Sequence, residues 1–248
     1  MNSLLLALQF FTTVPIKKNL PMDAKHINGM YLLFPFIGAG IGAIAYMMLY
    51  FEWSSLMTAF AIVCTGIVLS GGLHMDGYTD TADAFFSYRD RGKRLEILED
   101  PRVGAFGVIA VVLLIGGKII ILSEVLAAED FHWLYIIIIP FLSRVVMVLL
   151  FTLTPNAKDS GLAHFFKQKM QSRLVLTVTL IVQAIGIFLV ASVNWIIAIL
   201  ILLVLLLFIV VYRKWSIKNF GGLTGDLLGA TIELAEVVLW IVLLLSLS

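Results

Sequence analysis

Seven long apolar runs, at about 30–51, 54–73, 103–127, 131–154, 174–193, 195–212 and 227–246, leave this chain few ways to fold. A run of about 20 residues spans the ~30 Å of hydrocarbon in a bilayer as one helix, with every backbone polar group satisfied internally. With 61% hydrophobic and only 13% charged residues, the sequence lies far from the balance of soluble domains. The expected fold is therefore an all-α integral membrane protein of about seven transmembrane helices, residues 1–248 forming one polytopic domain. The opening "LLLALQFFTTVP" is too short to cross and is stopped by Pro15, so it reads as an interfacial or re-entrant helix. No basic region precedes it and no small-residue cleavage site follows it, so it is expected to stay in the mature chain. The single Cys64 lies in an apolar run and implies no disulfide framework.

Lys and Arg are distributed unevenly. Fifteen of the 17 fall in 15–29, 74–102, 155–173 and 213–226, whereas the alternate connections around Glu52, Glu129–Asp130 and Asn194 carry none. Short cytoplasmic loops hold the positive excess, so these four segments are expected in the cytoplasm and the C-terminus outside.

The polar centre is the second of those segments. Seven of the 16 acidic residues lie between His74 and Arg102. In "GGLHMDGYTDTADAFF", Asp76, Asp80 and Asp83 are spaced four and three apart, along one helical face. Three adjacent carboxylates repel, and unless a cation neutralises them one is driven to hold a proton. Hard oxygen ligands in this pattern suit Mg²⁺ or Mn²⁺, with water and substrate phosphate completing the shell; a solvated acidic face paired with nearby arginines is the plainer reading. His74 is either a ligand or base, or a polar residue at a membrane end.

"RDRGKRLEILEDPRVGAFG" alternates charge as a surface helix does, yet it sets a basic cluster beside the acidic one, as phosphate chemistry requires. Near the end, "GGLTGDLLGATIELAE" echoes the first motif: an Asp three residues after Gly-Gly-Leu and a carboxylate seven further on, Asp226 and Glu233. Glu233, Glu236 and Arg144 sit in apolar runs, where ionised groups cost about 2.5–3.5 kcal/mol at the helix centre and need partners. For Arg144 an internal ion pair and a substrate phosphate are both open; Lys118 reads as structural, and Asn156 as a turn residue.

These stretches, with "LQFFTTVPI" and "EILEDPRVGAFG", resemble the membrane-bound adenosylcobinamide-GDP ribazoletransferases, the cobalamin synthases, from one end of the chain to the other. One departure is Ala84–Phe85 after the third Asp, where many relatives are glycine-rich. The resemblance implies transfer from adenosylcobinamide-GDP to α-ribazole or its 5′-phosphate. The ribose 3′-hydroxyl attacks the phosphorus on the cobinamide arm and GMP leaves, completing the nucleotide loop of adenosylcobalamin. It implies Mg²⁺ on Asp76, Asp80 and Asp83, with Asp226, Glu233, Arg94, Arg102 and Arg144 binding substrate and the membrane walls taking the flank of the corrin. It further implies a bacterial or archaeal cytoplasmic membrane, with the site facing the cytoplasm. Nucleic acid is not an expected partner; self-association, or docking of pathway enzymes on the basic loops, stays open. Two rival classes are a CDP-alcohol-type phosphotransferase, whose usual Ala-Arg after Asp-Gly is missing at Asp76-Gly77, and a secondary transporter, which would want its carboxylates at the midplane.

Overall fold

The computed structural model describes residues 1–87 and 89–247, and every described element is helical. In chain order these are α1 (Asn2–Phe11), α2 (Ala24–Tyr46) continued by a 3₁₀ stretch (Met47–Phe51), α3 (Ser55–Ser70), α4 (Leu73–Phe86), α5 (Arg91–Ile97) and α6 (Ala105–Ala127). They are followed by α7 (Leu134–Leu153), α8 (Gly161–Lys169), α9 (Ser172–Ala191), α10 (Trp195–Phe220) and α11 (Gly225–Leu247). Six of them are long and apolar enough to cross a membrane, and α3, which passes that test only together with α4, is a seventh candidate, so this is a multi-pass membrane protein.

Local chemistry sets the starts. Asp23, Ser54, Asp90 and Asn194 each cap a helix by accepting from a backbone N–H in its first turn. Pro35 and Pro140 sit inside α2 and α7, where neighbouring helices make such breaks tolerable. α7 is buried along most of its length, which puts it at the centre, packed by α2, α9 and α11.

α3 is the exception among the spans. Its 16 residues rise only about 24 Å, and the chain then turns by 93° into α4. The turn needs Gly71 and Gly72, both in the left-handed region (φ 66° and 71°), where a Cβ is strained. We read α3 as the span and α4 as a helix running across the end of the bundle, outside the spans.

That end gathers all four Lys/Arg-rich segments. Thr13 N–H donates to the Leu69 carbonyl (2.9 Å), Lys169 Nζ to the Met22 carbonyl (2.9 Å) and Lys158 Nζ to Glu99 (2.6 Å). Ala157 N–H donates to the Leu223 carbonyl and Leu223 N–H to the Pro155 carbonyl, both at 2.9 Å. The opposite end carries an aromatic belt in which Trp133 lies against Tyr46, and Phe51 stacks on Trp53. The charge asymmetry thus matches the way the ends are sorted. Within the segments read as loops, the structure adds α4, α5 and α8, and it extends α10 to Phe220.

Candidate active site

α4 presents Asp76, Asp80 and Asp83 along one face, as their spacing requires. What fixes α4 is its crossing over α11: a Cβ on Gly77 would lie 2.7 Å from the Asp226 carbonyl oxygen and 2.9 Å from its Cα. Gly229, one turn further along α11, faces the backbone of His74 at 3.2–3.3 Å in the same sense. Small residues let two helices touch backbone to backbone, and here the contact brings Asp226 from the far end of the chain to the aspartates of α4. Gly77→Ala should force the helices apart, at a cost of about 1–3 kcal/mol. Its thermal midpoint in detergent is expected to fall and its activity to drop at least tenfold; an unchanged variant would refute the close crossing.

Each carboxylate has a different setting. Asp76 is exposed, while Asp80, Asp83 and Asp226 are partly buried. Asp83 accepts from Gly107 N–H of α6 (3.3 Å) and abuts Gly104, so one of its oxygens caps a helix whose N-terminal residue has no capping side chain. Asp226 accepts from the Thr224 hydroxyl (3.2 Å). Burial, followed by the charges of Asp76, Asp226 and Asp83, pushes the Asp80 carboxyl up to about 6. Among the described residues no salt bridge neutralises any of the four.

Such uncompensated hard oxygens suit Mg²⁺, which takes one or two carboxylates and fills its shell with water and phosphate oxygens. Among the described residues no three His, Cys, Asp or Glu side chains converge tightly enough to cage an ion. The donor set therefore fits an ion shared with a bound phosphate rather than a closed protein site.

The other expected residues lie elsewhere. Glu233 and Arg144 belong to a buried tetrad between α6, α7 and α11. In it Lys118 Nζ donates to Glu233 (2.5 Å) and Glu236 (2.8 Å), and Arg144 pairs with Glu236 and donates to Ser143 Oγ (3.0 Å). Two cations and two anions balance, so Arg144 takes the internal ion pair and Glu233 does not join the aspartates. Arg94 donates to Asn219 Oδ1 (2.7 Å) and lies over the Phe85 ring, whereas Arg102 is exposed and forks onto Asp100 (2.6 and 2.9 Å).

Two chambers of about 270 Å³ each adjoin the cluster, sharing Leu162, Ala163, Gly225 and Asp226. One is polar, with Asn156, Lys158, Ser160 and His164. The other is aromatic, with Phe10, Phe11, Tyr31 and Phe166, and reaches Asp76. Lys158, His164 and these aromatics escaped notice in the sequence; the polar run "NAKDS" after α7 was the one available signal.

The sequence that builds this site matches a known family along almost its whole length. The family model described as cobalamin-5-phosphate synthase covers residues 3–244. The chain belongs to the cobalamin-5-phosphate synthase family. Among its relatives are the adenosylcobinamide-GDP ribazoletransferases of Halalkalibacterium halodurans (36% identical over 97% of this chain and 94% of that one) and Geobacillus thermodenitrificans (37%, over 96% and 94%). That of Clostridioides difficile is 32% identical over 96% of this chain and 95% of its own length. No solved structure matches the chain significantly. The acidic motif and the Gly-Gly-Leu echo that frame the site thus lie inside the region matched to the cobalamin-5-phosphate synthase family.

Proposed function

We propose that this protein is an adenosylcobinamide-GDP ribazoletransferase that joins adenosylcobinamide-GDP to α-ribazole or its 5′-phosphate. The observation that carries the proposal beyond family membership is the un-neutralised quartet Asp76, Asp80, Asp83 and Asp226, of which Asp226 borders both chambers and Asp76 the aromatic one. The acceptor's ribose hydroxyl attacks the phosphorus on the cobinamide arm. The new P–O bond forms as the bond to the GMP oxygen breaks, and the hydroxyl proton passes to an aspartate carboxylate and then to water. Such a transfer needs positioning and charge neutralisation more than a protein nucleophile.

Bound Mg²⁺ supplies that neutralisation at the diphosphate. Asp76, Asp80 and the free oxygen of Asp83 are its proposed ligands, while Lys158 faces the phosphates from the polar chamber and Asp226 completes the carboxylate set. From the positive charge of the site-bearing end, we place the site on the cytoplasmic face of a cytoplasmic membrane.

The test is purified protein in liposomes with adenosylcobinamide-GDP and α-ribazole, following GMP and cobalamin by chromatography with Mg²⁺ or with a chelator. Equimolar GMP and cobalamin formed only with the metal is the expected result. Metal-independent turnover would remove Mg²⁺ from the proposal, and no turnover by folded, lipid-supplied protein would remove the activity.

A further inference from the structure

The aromatic chamber contains one polar group that nothing in the fold explains. His74 is 3% exposed, lines the chamber, and neither of its ring nitrogens has a hydrogen-bonding partner among the described residues. A buried polar group left unpaired costs about 1–3 kcal/mol, so one that persists in a cavity points to a partner that arrives. Its ring is held by an edge contact with Phe34 (centroids 6.0 Å apart), which in turn packs on Phe11 (4.0 Å). Phe10 and Tyr31 both pack against Phe166 (5.2 and 6.1 Å), so the wall facing the imidazole is aromatic and fixed.

We propose that this chamber is the subsite for the base of the acceptor nucleoside, and that the His74 ring N–H donates a hydrogen bond to the base's free ring nitrogen. Three features select that ligand. At about 270 Å³ the chamber lies below the ~300–1,000 Å³ of clefts that hold drug-sized ligands, so it takes one bicyclic ring system and excludes a macrocycle such as a corrin. Aromatic walls favour a flat heteroaromatic partner. The unpaired imidazole N–H of His74 matches a benzimidazole nucleoside, which has one free ring nitrogen to accept it. Asp76 and Asp226 border the same chamber, so a base seated there carries its ribose toward the carboxylates. His74 is then a specificity-determining residue, and α1, through Phe10 and Phe11, is part of the substrate site.

This inference rests on the acceptor being a ribazole nucleoside, and the experiment separates the two. Equilibrium dialysis measures α-ribazole binding without donor, and initial rates give KM for acceptor and donor separately. For His74→Ala the expected result is a 10- to 100-fold weaker Kd and higher acceptor KM, with donor KM unchanged and kcat at saturating acceptor within a few-fold of wild type. Phe166→Leu, an independent variant in the chamber wall, should weaken acceptor binding several-fold. A ribosyl-indole, which lacks the ring nitrogen, should bind wild type as weakly as α-ribazole binds His74→Ala, and should bind the two proteins alike.

Unchanged acceptor binding in both variants, a rise in donor KM instead, or equal binding of the indole analogue to wild type would overturn the assignment. Binding that depends on His74 without any turnover would uphold the subsite and sink the reaction. Turnover with no effect of His74 would do the reverse.

Discussion

Asp80→Asn is expected to lose cobalamin formation by about 10³-fold or more while remaining folded. The carboxyl oxygen it replaces lies at the centre of four acidic groups, and an amide cannot share a divalent cation with a phosphate in the same way. The same substitution should make the metal-free protein more stable. An acid whose carboxyl is raised by folding favours the folded state while it is protonated; that contribution is complete below the ordinary aspartate range and disappears as pH rises through about 6. Above pH 6 the wild type therefore holds an uncompensated charge, which Asn lacks. After discounting for the partial exposure of Asp80, the difference is about 1 kcal/mol or less.

Thermal unfolding in chelator at pH 7.5 should therefore place Asp80→Asn above wild type, the gap closing near pH 4; Mg²⁺ should stabilise only the wild type. Full activity in the variant would show that the aspartate face is not where the phosphates bind. A variant less stable than wild type in chelator would show that the cluster is neutralised by something other than a metal.

The second large effect is expected at the tetrad. Glu236→Gln leaves Lys118 and Arg144, both buried, with Glu233 as their one remaining carboxylate. Breaking a buried ionic set from one side costs about 3–5 kcal/mol, because the unpaired charge stays out of water. The variant should extract poorly, run as aggregate in size exclusion and be degraded in cells. Removing a matched pair, Lys118→Met with Glu233→Gln, keeps the remaining Arg144–Glu236 pair balanced and should recover most of the folded yield. If Glu236→Gln behaves like wild type, the tetrad contributes nothing to stability, and Arg144 is again available for a phosphate.

Much of this architecture was legible because hydropathy along a chain reports a bilayer directly. The spans, the one-sided charge and the aspartate face of α4 follow from spacing alone. Glu233 was not legible: seven residues beyond Asp226, it keeps the same face of α11 but lies nearly two turns deeper, beside Lys118 rather than Asp80. Nor could Arg144 be assigned, since a cation inside a span can be matched by any helix, and the partner lay 92 residues away. The 93° turn at Gly71–Gly72 was not legible either, since the apolar run 54–73 passes through both glycines. The chamber walls were hidden for another reason. Phe10, Phe11 and Phe166 carry no spacing signal of their own, and only the meeting of α1, α2, α4, α7, α8 and α11 leaves a space between them.

The position of α11 affects how the protein is made. It follows the other described spans in the chain, yet it brings Asp226 to the aspartates of α4 and supplies both carboxylates that balance Lys118 and Arg144. A nascent chain awaiting it holds two naked cations in lipid and an open-sided cleft. Insertion of α11 thus completes the aspartate cluster and the ion-paired tetrad in a single biogenesis step.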